Sequence, residues 1–125
     1  LMGIKELLAE AEAIREGTNP DLNVLGYLLT MADNTRMTQE TWDGLTESFK
    51  EKVFQTKIRR SVKLRESPAI GKTIFHHDPE GVGSEDYLNF SQEVAARLSL
   101  KPKFAEQPQA SRPFLQIVKE ASNAY

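Results

Sequence analysis

The chain has 125 residues, 39% of them hydrophobic, enough for one domain with a modest core. It contains no cysteine, which excludes disulfides and thiolate metal sites and fits a reducing compartment. No apolar run approaches the ~18–20 residues that cross a bilayer, and nothing resembles a secretory signal. The net charge of −2 hides an asymmetry. Six of the sixteen Lys and Arg residues lie between Lys57 and Lys72 against a single acid, Glu66, so this window carries +5 and the rest of the chain −7. A basic segment on an acidic body is an electrostatic statement about partners; charge alone fits a solvated basic loop equally well.

Taken in order, Ile4, Leu7, Leu8, Ala11 and Ile14 recur at helical spacing, so Gly3 to Arg15 reads as an amphipathic helix stopped by Gly17 and Asn19-Pro20. Leu22 to Met31 is nearly continuous in apolar residues and suits a strand buried on both faces. Thr38 is a candidate cap for a second helix carrying Trp42, Leu45 and Phe49. Val53 to Ile58 reads as a second strand, and strand, helix and strand make a βαβ unit with parallel strands. Arg59 to Pro79, broken by Pro68, Gly71 and Pro79, predicts a loop with one or two short helical turns. Ser84 would cap a third helix with Tyr87, Phe90, Val94 and Leu98 on one stripe. Residues 101–109 read as a linker and 111–121 as a short last helix. The domain division expected is therefore 1–100 and 101–125.

Two parallel strands do not make a self-sufficient sheet, because parallel strands need neighbours and both faces covered. The fold class expected is α/β, part of a doubly wound and mostly parallel sheet, with an edge left to pair with another chain. The chain enters a helical pattern at once after Leu1-Met2-Gly3, which suggests the later part of a longer protein.

Chemistry-bearing motifs are few. Gly71-Lys72-Thr73 reads G-K-T, but position 66 is Glu66 rather than glycine and no strand feeds it, so it is not a phosphate loop. His76-His77-Asp78 offers adjacent side chains that point apart, whereas a metal needs three or four convergent ligands. No metal site and no catalytic residue is expected.

The order Leu28-Leu29-Thr30-Met31-x-Asp33, Ile58-x-Arg60-Ser61-Val62-Lys63-Leu64-x-Glu66-Ser67-Pro68, Gly71-Lys72-x-Ile74-Phe75, Asp78-Pro79 and Gly83-Ser84-x-x-Tyr87-Leu88-Asn89-Phe90 resembles the C-terminal half of ParA/Soj chromosome- and plasmid-partitioning ATPases, in the MinD-like group of P-loop proteins. The likeness covers roughly residues 3 to 98. It implies a doubly wound α/β ATPase that dimerises around ATP and Mg²⁺, binds duplex DNA nonspecifically, is stimulated by a ParB-like protein, and sits on the nucleoid in the cytoplasm. The phosphate loop and the Mg²⁺-binding acids belong to the half not matched here, so this chain alone is expected to hold no cofactor and to hydrolyse no ATP. The resemblance places the adenine side of the nucleotide site at Thr30, Met31, Asp33 and Arg59, where the family usually has proline in place of Arg59. It places the DNA surface at Arg36, Arg60 and Lys63. Sequence-blind duplex binding needs only a few separated cations on one surface. The alternative is a stand-alone DNA- or protein-binding or oligomerisation module without ATPase activity.

Overall fold

The computed structural model describes residues 2–99. In chain order it contains α1 (Met2–Gly17), β1 (Tyr27–Ala32), α2 (Arg36–Phe49), a 3₁₀ turn (Lys50–Lys52), β2 (Val53–Arg59), α3 (Val62–Ala69), α4 (Ile74–His77) and α5 (Val82–Arg97). The linker expected over 101–109 and the last helix expected over 111–121 lie outside the described residues. β1 and β2 form a two-stranded parallel sheet, the α/β arrangement that the sequence predicts. The chain divides into two compact units: one holds the residues up to Tyr27 with Thr35–Val53, the other Leu28–Asn34 with Phe54 onward.

In the first unit α1 ends where Thr18 and Asn19 N–H both donate to the Ile14 carbonyl, satisfying a terminal acceptor as the Gly17 stop predicts. None of its residues is fully buried, and Leu7 is 67% exposed, so its apolar stripe is only half covered. The cap of α2 is Thr35, not Thr38. The Thr35 hydroxyl accepts from Thr38 N–H, which moves the helix start three residues earlier than expected and puts Arg36 at its first position. Leu45 is buried, and Phe49 stacks on Tyr27 with ring centroids 4.2 Å apart.

The second unit carries the sheet. β1 is shorter and more open than the apolar run suggests, beginning at Tyr27 instead of Leu22, with Thr30 and Met31 exposed and only Ala32 buried. The reason is pairing: an apolar run becomes strand only where a partner strand lies beside it, and β2 has seven residues to offer. β2 begins at Val53 as expected and runs one residue longer, with Phe54 and Ile58 buried.

Arg59 to Pro79 is more helical than expected. α3 even accommodates Pro68, which cannot donate to the Leu64 carbonyl; the Ser67 hydroxyl reaches that carbonyl instead at 3.4 Å. Ser84 does not cap α5. Gly81 does, and Ser84 sits one turn in with 0% exposure, its hydroxyl donating to the carbonyls of Asp78 (2.6 Å) and Ile74 (3.1 Å). α5 can come so close because residue 83 is glycine: a Cβ there would stand 2.9 Å from Leu64 Cγ and 3.1 Å from Ile74 Cγ1.

The inner face of α5 is acidic as well as apolar. Glu93 accepts the backbone N–H groups of Gln55 (2.7 Å) and Thr56 (3.0 Å), and Asp86 accepts that of Arg59 (2.8 Å). At these positions β2 has no N–H left for a further strand; two carboxylates close that part of the edge. The edge expected to drive self-association is thus blocked here.

Candidate nucleotide and DNA site

A cavity of about 340 Å³ opens at the carboxyl ends of β1 and β2, within the second unit. Thr30 and Met31 reach it from β1, Ile58 and Arg59 from β2, and Arg60 and Ser61 from the turn into α3; Leu64, Arg65 and Tyr87 complete it. This is where open α/β sheets hold ligands. Met31 reaches the cavity from a left-handed backbone, φ 52°, which an unbranched side chain tolerates at some cost. Of the four residues assigned to the adenine side, the structure gathers Thr30, Met31 and Arg59, while Asp33 is not in the wall.

Arg59 is the most constrained side chain of the wall. Its Nε and Nη2 donate to the Asp86 carboxylate (3.0 and 2.6 Å) and its Nη2 also to Glu85 (2.5 Å). The hydrogen bonds it donates to Asp86 and then to Glu85 hold the guanidinium well above its ordinary range, so Arg59 is a fixed cation. Asp86 is 4% exposed, so it is a buried acid matched to one guanidinium and one backbone N–H.

The cations assigned to DNA have unequal surroundings. Arg36 is exposed on α2 in the first unit and pairs with Glu40 at 2.7 Å. Lys63 pairs with Glu66 at 2.9 Å, which raises its pKa. Glu66 also meets His77 Nε2 at 2.8 Å, and the hydrogen bonds from Lys63 and His77 keep its carboxyl below the usual glutamate range. Arg60 lines the cavity, and its backbone N–H ties the end of β2 to the Ala32 carbonyl. His76 faces Thr73 rather than His77's partner, and among the described residues no group of three or more His, Asp or Glu could hold a metal ion.

Glu93 adds a pH dependence. Burial, the largest single effect, would raise its carboxyl, but the N–H groups of Gln55 and Thr56, the Thr56 hydroxyl and the Arg97 charge together outweigh it and hold the carboxyl below the ordinary 4.5. A depressed carboxylate contributes stability that is present above its unfolded value and lost as pH falls through the lower folded value. Urea midpoints should therefore fall steeply once pH drops below about 4.5, and Glu93→Gln should flatten that fall. An unchanged profile in the variant would remove Glu93 as its source.

Sequence reasoning missed Asp86, Glu93 and the pocket role of Tyr87. Their signal was present: positions 83, 86, 90, 93 and 97 repeat at helical spacing, but the apolar stripe at 87, 90, 94 and 98 drew the assignment.

The chain matches no protein-family model. It is 44% identical over 99 residues to the chromosome-partitioning ATPase Soj of Thermus thermophilus, covering 78% of this chain and 40% of that protein. It is 38% identical over 97 residues to the sporulation initiation inhibitor protein Soj of Bacillus subtilis, covering 77% and 38%. The chromosome partitioning protein ParA of Myxococcus xanthus is 34% identical over 98 residues, covering 78% and 35%. The chain is a ParA/Soj-type segment. It spans about two fifths of the length of these relatives. Matches of 97–99 residues agree with the stretch that carries the motifs, Ile58 to Phe90 included. No helix of the described residues is long and apolar enough to cross a membrane.

Proposed function

We propose that the chain is the C-terminal part of a ParA/Soj-type ATPase acting in chromosome or plasmid partitioning. In this reading it supplies the base side of the ATP site and a sequence-independent DNA surface. The observation that carries it is the cavity at the strand ends, which brings Thr30, Met31 and Arg59 together with Arg60. Its size falls in the range of about 300–1,000 Å³ usual for small ligands, and Met31, Ile58, Leu64 and Tyr87 provide apolar surface for a flat base. The residues present suit the base and not Mg²⁺, so the metal ligands and the phosphate loop come from a segment outside this chain. When bound, ATP and Mg²⁺ supply the phosphoryl chemistry; this chain's residues bind and orient the base and close one side of it to water. ParB-like stimulation and homodimerisation belong to the whole protein, and nucleoid association in the cytoplasm follows from its DNA surface.

The isolated chain should release no phosphate from ATP above background and bind ATP weakly, because phosphate contacts supply most attachment at such sites. Gly71-Lys72-Thr73 does not alter this: Gly71 has φ 65° in a turn and Thr73 caps the four-residue α4. Mg²⁺-dependent release that disappears with Lys72→Ala would sink this expectation.

The cations assigned to DNA are Arg60 and Lys63 in the second unit and Arg36 in the first. Arg36 and Lys63 must exchange Glu40 and Glu66 for phosphate, which is inexpensive since exposed ion pairs contribute about 0–1 kcal/mol. Three neutralised phosphates give a slope of log K against log salt of about −2.7, so a fourfold rise in salt weakens binding roughly 40-fold. Arg60→Glu or Lys63→Glu should weaken every duplex sequence alike and flatten the slope, whereas Lys5→Gln should do neither. Fluorescence anisotropy across a salt series checks this in the chain and in the whole protein. A whole protein with Arg60 and Lys63 both reversed that keeps its slope would show the basic window to be a solvated edge.

A further inference from the structure

The basic window divides by partner. Arg59 is held by Asp86 and Glu85, and Lys63 by Glu66. Arg60 and Arg65 differ: among the described residues, neither guanidinium has an acid within ion-pair distance or a side-chain hydrogen bond. Both are exposed, and both line the one cavity at the strand ends. Between them lies Ser61, which precedes α3 but whose hydroxyl makes no capping bond. Ser61, at the N-cap of α3, and Arg65, in its first turns, both line the cavity. The cavity wall thus holds two guanidiniums without an acid partner beside the paired one of Arg59, with the Ser61 hydroxyl between them in sequence and no carboxylate in the wall.

We propose that Arg60, Ser61 and Arg65 form a cradle for the phosphodiester backbone of duplex DNA. The proposal rests on the DNA-surface reading above and adds Arg65 and Ser61, which that reading does not use. A guanidinium fork donates two parallel N–H bonds to phosphate oxygens, which an ammonium does not, and a hydroxyl can donate a further one. These cations give up no protein partner on binding, whereas Lys63 and Arg36 must each leave a glutamate. A phosphodiester carries a single charge per phosphate, which suits isolated guanidiniums. In the reading above the triphosphate and its Mg²⁺ are held by a segment outside this chain, which leaves these guanidiniums to another phosphate.

The test uses the full chain, a labelled duplex and a salt series, with Arg60→Gln, Arg65→Gln, Ser61→Ala and Lys72→Gln compared by anisotropy. Lys72→Gln removes the same charge outside the cavity. Arg65 and Ser61 are not buried, so melting curves should match the parent chain and confirm folded variants. Arg65 as a fourth phosphate contact steepens the slope of the parent chain from about −2.7 to about −3.6; Arg65→Gln should take back about 0.9, as Arg60→Gln does, so that a fourfold rise in salt costs the variant about 3.5-fold less affinity than the parent chain. Ser61→Ala should weaken binding without changing the slope, and Lys72→Gln should change neither. If Arg60→Gln flattens the slope and Arg65→Gln does not, the cradle is wrong while the DNA surface stands. If neither does, or the parent chain shows no salt-dependent binding, both fall. In a parallel titration with adenosine monophosphate, loss of nucleotide binding by Arg65→Gln with DNA binding intact assigns the arginine to a nucleotide phosphate and overturns the proposal.

Discussion

Replacing Asp86 with alanine is expected to destabilise the chain by about 2–3 kcal/mol, measured as a shift in urea midpoint at constant m. The carboxylate is 4% exposed and accepts from Arg59 N–H at 2.8 Å, from Nε at 3.0 Å and from Nη2 at 2.6 Å. Its loss leaves the N–H at the end of β2 without an acceptor, and an unmade bond of this kind costs about 1–3 kcal/mol. The guanidinium contributes less, because its side chain is 46% exposed and keeps Glu85 and water. Glu85→Ala, at a side chain 62% exposed, should therefore cost under about 0.5 kcal/mol. Asp86→Asn, which keeps one acceptor oxygen, should fall between the two.

Arg59 stands where the ParA/Soj resemblance has proline, which gives this prediction a second arm. Proline has no N–H to donate, so Arg59→Pro alone strands the buried Asp86 carboxylate. Combined with Asp86→Ala, the same change removes donor and acceptor together, and the double variant should cost clearly less than the sum of the singles. Strict additivity would mean that residues 59 and 86 do not act as a pair, and a shift below about 0.5 kcal/mol for Asp86→Ala would say the same.

How much of this was legible in the sequence follows from what each signal depends on. Local signals held where they depend on neighbours alone: the period of α1 and the start of β2 at Val53. Signals that depend on a distant partner did not. β1 starts at Tyr27 because pairing with β2 decides its length, and no hydropathy pattern from Leu22 onward encodes that. The cap of α2 was displaced because Thr35 and Thr38 are equally good cap residues, and only the backbone at Thr35, φ −86° and ψ 154°, selects it. Asp86 and Glu93 gave no local signal because the backbone N–H groups they accept from lie 27 to 38 residues earlier in the chain. The family motifs pointed to strand ends where a cavity does open, while the division of cations into paired and unpaired needed coordinates. Lys63 and Arg65, two residues apart, differ only in whether Glu66 reaches them.

Phe54→Ala is expected to be the most damaging single change in the second unit, at about 3–5 kcal/mol. Phe54 is 3% exposed at the start of β2 and meets Phe90 of α5 edge-on, with centroids 5.0 Å apart and planes at 86°. Arg97 Cζ lies 3.9 Å from the centroid of the Phe54 ring, so truncation removes a cation–π contact as well as apolar burial. The hole opens beside Glu93, whose bonds to Gln55 and Thr56 hold the same stretch of β2 to α5 and cannot close the gap without breaking. Phe54→Leu, which retains most of the volume, should cost under about 1.5 kcal/mol. Leu7→Ala, on the exposed side of α1, should cost under about 0.5 kcal/mol despite deleting similar apolar bulk. In a double-mutant cycle Phe54 and Phe90 should couple by about 0.5–1.5 kcal/mol. The consequence reaches the site, since β2 ends at Arg59 with Arg60 next in the chain, and α5 carries Asp86 and Tyr87. A Phe54→Ala chain that remains folded at low denaturant should bind duplex DNA with an unchanged salt slope and reduced affinity, because its cations persist while their spacing loosens. Loss of less than about 1.5 kcal/mol would show that α5 is held to β2 by the two carboxylates and not by the aromatic contact.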